Sequence, residues 1–224
     1  MSEQAGDNST SVKGDKKNFT YSALFLLFLF GSIAGFIFEG VWCVFRKGHW
    51  ENHSALVWGP FCIVYGIGAV AVYLLSGCLN KKNWPLQFLT FSLSGGMVEY
   101  FTGLFQEHVF GSISWDYSKH WLNIGGRVSL KMALLWGVLG ILFVHFIYPY
   151  LSRLLNKCRG RISKIACIIL TVFMAANLLV SSVAVLRWRE RTNDMPPSNK
   201  VEEILDQFYD DETMKEIYTN MRFQ

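Results

Sequence analysis

Two carboxylates stand inside otherwise apolar stretches of this sequence, Glu39 within Phe19 to Phe45 and Glu99 within Trp84 to Gln106. An ionisable side chain at the centre of a membrane helix costs about 2.5 to 3.5 kcal/mol on insertion scales, so each needs a partner or a task. Gly95, Glu99, Gly103 and Glu107 recur every four residues, and so do Gly31, Gly35 and Glu39, which aligns acids and glycines on one face of a helix. Glycines let helices approach closely, so each stripe reads as a packing seam with a carboxylate toward one end. Arg127 and Lys131, spaced i, i+4, offer the compensating charge. At the helical rise, Glu99 lies about 21 Å beyond Pro85, past mid-bilayer and on the side from which Arg127 starts. Glu39, Glu99, Glu107, Arg127 and Lys131 are therefore expected to share one polar pocket in the outer half of the bundle. Such a pocket can bind a polar or cationic solute or carry protons; a buried structural ion pair is the plainer alternative.

The segment Gly111 to Gly126 is too aromatic and too specific in residue type for a spacer. Trp115-Asp116-Tyr117-Ser118, Trp121 and Asn123 suggest a lid or re-entrant cap over the pocket, which adds Asp116, Tyr117 and Asn123 to the candidate site; an aromatic loop in the membrane interface is the alternative. Other signals carry less. Leu93-Ser94-Gly95-Gly96-Met97 is similar to an ATPase signature, but it falls inside a helix, and no G-x-x-x-x-G-K-[ST] is present to bind nucleotide. His49, Glu51 and His53, with His108 or His120, lack the helical context of a zinc motif and read as solvated loop residues. No nucleophile and base pair off, so no catalytic residue, metal or cofactor is expected. His145 reads as a hydrogen-bonding group between helices.

These residues need helices to hold them, and the composition supplies them. Of 224 residues, 51% are hydrophobic and 17% charged, with the charges confined to short blocks. A bilayer core needs about 20 apolar residues per crossing, and only a helix pairs its own backbone groups there. Five stretches qualify: Phe19 to Phe45, Leu56 to Leu79, Trp84 to Gln106, Met132 to Ser152 and Ile165 to Leu186. The expected fold is all-α, a polytopic bundle of five transmembrane helices with a short C-terminal amphipathic helix. The first stretch is too long for a signal peptide and is read as a retained helix. Cys43, Cys62, Cys78, Cys158 and Cys167 form no C-x-x-C pair, so no disulfide framework is inferred.

Residues 1–18 read as a disordered cytoplasmic tail, 19–187 as the transmembrane domain and 188–224 as an extramembrane tail. In that tail Asn199 and Glu202 resemble a helix cap, and Val201, Ile204, Leu205 and Phe208 fall at helical spacing, which predicts a helix that docks on the membrane domain. The N-terminal tail, second loop and fourth loop carry 10 Lys/Arg against 5 in the first and third loops, or 8 when Arg187, Arg189 and Arg191 are included. The bias predicts a cytoplasmic N-terminus. The basic fourth loop fits anionic membrane lipid rather than nucleic acid. An odd number of spans gives no internal duplication, so symmetry is expected from a homo-oligomer or a partner membrane subunit.

Glu39, Gly59-Pro60, Tyr65-Gly66, Glu99 with Gly103 and Glu107, Phe110-Gly111, Trp115-Asp116-Tyr117-Ser118, Asn123, Gly126-Arg127 and Trp136-Gly137 together resemble the ABC-transporter type IV (CmpB-like) permease family. Pro197 with Asn199, Phe208 and Asn220-Met221 look similar too, whereas Ile63 stands where the family pattern leads one to expect proline. The resemblance implies a multi-pass protein of the bacterial cytoplasmic membrane, with any ATPase supplied by a separate subunit. Three functions follow: a transporter or permease subunit; a non-catalytic membrane subunit that binds or regulates a partner; and an intramembrane enzyme on lipid-linked substrates, with Glu99 or Glu107 as base and Arg127 holding an anion.

Overall fold

Lipid offers the backbone no hydrogen-bond partner, so the apolar stretches of this chain fold as helices. The computed structural model describes residues 20–157 and 160–224, so the expected N-terminal tail, residues 1–18, and Cys158 lie outside the described residues. The helices are α1 (Tyr21–Lys47), α2 (Ile63–Cys78), α3 (Trp84–Phe110), α4 (Leu130–Leu142), α5 (Tyr148–Lys157), α6 (Arg161–Thr192), α7 (Lys200–Phe208) and α8 (Asp211–Ile217). A five-residue π-helical segment, Phe143–Ile147, joins α4 to α5. Polar residues start the helices: Thr20, Asn83 and Ser129 each accept a backbone N–H of the first turn of α1, α3 and α4.

Among the described residues three helical runs are long and apolar enough to cross a membrane: Tyr21–Lys47, Leu130–Leu155 and Arg161–Thr192. α2 has 16 residues and reaches about 24 Å. α3 has the length, 27 residues, but its inner face carries Gln87, Ser92 and Glu99. α1 packs on α2, α2 on α3, α3 on α4, and α6 lies against α1 and α3.

Several expected boundaries move. The stretch Leu56 to Leu79 is helical only from Ile63. Before it the non-helical chain runs against the middle of α6, where Asn177 accepts from Trp58 N at 3.2 Å and donates to Trp58 O at 2.6 Å. Ser181 accepts from Val57 N at 2.9 Å. Side-chain groups thus stand in for helical bonds, as buried backbone requires. α6 continues to Thr192, so the expected domain limit at 187 falls inside a helix. The all-α expectation also needs amending, because four two-residue strands form two antiparallel ribbons: β1 (Ser112–Ile113) with β4 (Arg222–Phe223), and β2 (Asn123–Ile124) with β3 (Val128–Ser129).

The C-terminal tail folds onto the bundle as two short helices and a strand rather than as one helix. Asn199 caps α7, accepting from Val201 N and Glu202 N at 3.0 Å. Of the expected apolar face only Leu205 is buried; Val201, Ile204 and Phe208 are exposed, Phe208 to 70%. Leu205, Met214 and Tyr218 instead close a core around Ala184, Val185 and Trp188 of α6. At the opposite end Leu27, Val72, Tyr73, Phe91 and Phe143 form a second core. There His145 donates to Gln87 Oε1 at 2.7 Å and stacks on Trp84.

Candidate functional site

Small residues make the room for this site. A Cβ on Gly35 of α1 would overlap the Tyr65 side chain, and one on Gly95 of α3 would overlap Trp136. Two aromatic side chains, from α2 and α4, therefore enter the bundle and meet with ring centroids 5.2 Å apart. Carboxyl groups flank them. The Tyr65 hydroxyl donates a short hydrogen bond to Glu39 Oε1. The Tyr117 hydroxyl donates to Glu99 Oε1 at 2.8 Å. Glu99 is 5% exposed. Its Oε2 is buried with no partner in hydrogen-bond geometry among the described residues. The Trp136 indole approaches the same carboxyl group.

Tyr117 reaches Glu99 from the loop between α3 and α4, and that loop is built to hold it. Tyr117 N donates to Gly126 O at 2.7 Å, and the Trp115 indole donates to Arg127 O at 2.8 Å. Asn123 donates to His120 O at 2.8 Å and to Ser118 O at 3.1 Å, and accepts from Gly126 N at 3.1 Å. Gly126 has φ +69°, a left-handed turn that a side chain would strain. Asp116 Oδ1 accepts from Ser118 N at 2.8 Å; this backbone donor holds the carboxyl below its usual range. Burial, then the Glu99 charge, pushes the Tyr117 hydroxyl far above its ordinary value, so it stays a donor.

The expected partnership of Arg127 is corrected. Its guanidinium pairs with Glu107, Nε to Oε2 at 2.7 Å and Nη2 on the same oxygen, and lies over the Tyr100 ring at 5.8 Å. Among the described residues neither Glu39 nor Glu99 forms an ion pair with a lysine or arginine. The reason is depth. Glu107 sits on the last turn of α3, level with the loop that carries Arg127, while Glu99 is two turns lower, about 12 Å along the helix. Lys131 is exposed and apart, lining an open groove with His120, Trp121, Leu130 and Leu134. Of the eight residues singled out, Glu39, Glu99 and Tyr117 gather, Glu107 pairs with Arg127, and Asp116 and Asn123 brace the loop.

The expected site left out Tyr65 and Trp136, although Tyr65-Gly66 and Trp136-Gly137 were among the pieces that carry the family resemblance. It also left out a second charged cluster. Arg187, 2% exposed, donates to both Asp206 oxygens at 2.9 Å and to Glu190 at 3.1 Å. Arg191 donates to Asp206 at 2.6 Å and Asp211 at 2.7 Å. The usable signal was the pair of acids Glu202 and Asp206, one helical turn apart, downstream of arginines that end an apolar run.

No curated protein and no solved structure shows significant similarity to this chain. A family model does: it matches residues 26–182, which include Glu39, Tyr65, Glu99, Tyr117 and Trp136. By that match, over more than half its length, the chain belongs to the family described as "Putative ABC-transporter type IV".

Proposed function

We propose that the chain is a transporter or permease subunit in which Glu39 and Glu99 bind a cationic solute or pass protons. The observation that carries this reading is a buried carboxyl, Glu99, met by a hydroxyl rather than by a cation. Charge in that setting is completed by something brought from outside, a proton or a positive group. The reading takes the chain to cross the membrane five times, with α2 and α3 as the further spans. Leu86, Leu89, Leu93, Met97, Phe101, Phe105 and Val109 are all exposed along one edge of α3, an unbroken apolar stripe that fits lipid. The loop charges favour an N-terminus inside, and the family resemblance favours a bacterial cytoplasmic membrane. Five spans are few for a complete transporter, so a homo-oligomer or an ATPase subunit completes the assembly, with membrane lipid around it. A thiol placed at the exposed Ser118 should label from outside in whole cells; labelling only after lysis overturns the orientation.

The test of the site is proton and monovalent-cation uptake by proteoliposomes under an imposed potential. Wild-type uptake that disappears in Glu39→Gln/Glu99→Gln supports the reading. Equal uptake in both, or in neither, removes it. A second reading, a subunit that binds a partner protein, draws on the loop tip, where Trp121 is 77% exposed beside Leu122 and Ile124. It predicts a co-purifying protein lost on Trp121→Ser with uptake unaffected.

A further inference from the structure

Outside the carboxyl and tyrosine site, one set of side chains converges without a task. Cys43, Glu51 and His53 each offer an atom within 4.8 Å of the others. Gly48, at φ +80°, ends α1 and turns the chain back along it. Trp50 then seats against Gly40 and packs on Phe36 with centroids 5.7 Å apart. That packing fixes Glu51 and His53 against Cys43, which is 4% exposed.

One atom of this set is unsatisfied, on His53. Asn220 of the C-terminal tail bonds His53 Nδ1 at 3.0 Å, while His53 Nε2 is buried with no partner. Glu51 is held by Lys47 at 2.7 Å and by His49 at 3.1 Å. We propose that Cys43, Glu51 and His53 bind a thiophilic divalent cation of the zinc class. One thiolate, one carboxylate and one neutral imidazole cancel a 2+ charge in a partly buried place, and a sulfur ligand selects zinc-like ions over magnesium or calcium. A fourth position stays open. Binding releases the Cys43 thiol proton to solvent and frees Lys47 from Glu51, so charge balances. Asn220 takes the outer role: with its amide oxygen turned to the ring it accepts from Nδ1–H and leaves Nε2 to the metal. The metal thereby ties the end of α1 to the C-terminal tail. The sequence alone pointed away from this, since His49, 63% exposed, stays outside and the missing ligand, Cys43, lies on the helix before the turn.

The purified full-length protein, titrated with Co²⁺ in detergent at neutral pH, should bind one equivalent, develop thiolate-to-cobalt absorption in the near ultraviolet and lose it to added Zn²⁺. Cys43→Ser should abolish that absorption, and Asn220→Ala should weaken Zn²⁺ binding by about tenfold. Zn²⁺ should also slow alkylation of Cys43 in the wild type, which requires no variant to fold. Absence of stoichiometric cobalt binding by the wild type overturns the proposal. So does thiolate absorption that persists in Cys43→Ser, because another cysteine would then be the ligand.

Discussion

Arg187 and Glu99 are buried to nearly the same degree, 2% and 5% exposed, yet one is surrounded by opposite charge and the other meets a hydroxyl and an indole but no cation. Arg187 faces Asp206 through two bonds and Glu190 through a third, with Glu202 at 3.8 Å. Glu99 has Tyr117. A desolvated charge whose partners are all supplied by the fold has nothing left to offer a ligand, and its role is to hold elements together. A desolvated carboxyl with an unfilled oxygen keeps that capacity. The first cluster clasps the C-terminal tail to α6; the second stands at the meeting of α1, α2, α3 and α4.

The comparison breaks most visibly at Arg187. Arg187→Met leaves Asp206 with Arg191 alone and Glu190 without its arginine, and because both acids are partly exposed it should destabilise by about 2–3 kcal/mol, short of the fully buried limit. Thermal unfolding in detergent and protease cleavage near Pro196-Pro197 read this out, and adding Asp206→Asn should recover much of the loss. An unchanged midpoint in Arg187→Met would mean that the apolar contacts of Met214 and Tyr218 hold the tail alone. Acid should do the same work. The hydrogen bonds from Arg187, then Arg191, hold Asp206 below its ordinary value of 3.8. The folded state therefore binds fewer protons at this carboxylate, and the stability it contributes is present above about pH 4 and lost as pH falls further.

A smaller effect belongs to Arg127 and Glu107, each about a quarter exposed, with side-chain exposures of 23% and 24%. Arg127→Met should cost about 1–2 kcal/mol, between the exposed and buried limits, with Glu107→Gln restoring most of it. Restoration by Glu99→Gln instead would move the arginine into the inner site and erase the distinction between the two regions.

The sequence made some of this legible and hid the rest for identifiable reasons. Run length and charge placement located α1 and α3 to within four residues and α6 to within six, because a helix is the way lipid-facing backbone satisfies itself. They missed the break before Ile63, since apolar residues such as Leu56 and Val57 look the same whether helical bonds or Asn177 and Ser181 satisfy their backbone. Four-residue periodicity found Glu39 and Glu99 and their glycines, but the depth reckoned from Pro85 was too coarse to separate Glu99 from Glu107, two turns nearer the Arg127 loop. It therefore put Glu39, Glu99, Glu107, Arg127 and Lys131 in one pocket, whereas Arg127 pairs with Glu107 and the two inner acids stand apart from it. Tyr117 was legible as a site residue because its loop is unusual in composition; Tyr65 entered only through the family resemblance, because a tyrosine in an apolar helix reads first as packing.

The smallest expected change in stability is at Tyr117, and it discriminates best between a structural and a functional inner site. Tyr117→Phe keeps the ring that stacks on His120 at 5.2 Å and removes only the hydroxyl that meets Glu99, a loss of about 1 kcal/mol. The loop retains its own bonds, Tyr117 N to Gly126 O and Asn123 to His120 O, so its shape should persist. If Glu99 exchanges a proton or cation, loss of its one hydroxyl donor changes the ionised form it presents, and uptake by proteoliposomes should shift in pH dependence while the melting midpoint barely moves. A purely structural carboxyl would instead show the same uptake profile with the same small drop in midpoint. Glu99→Gln should then leave uptake intact as well, which would put the functional centre of the molecule elsewhere.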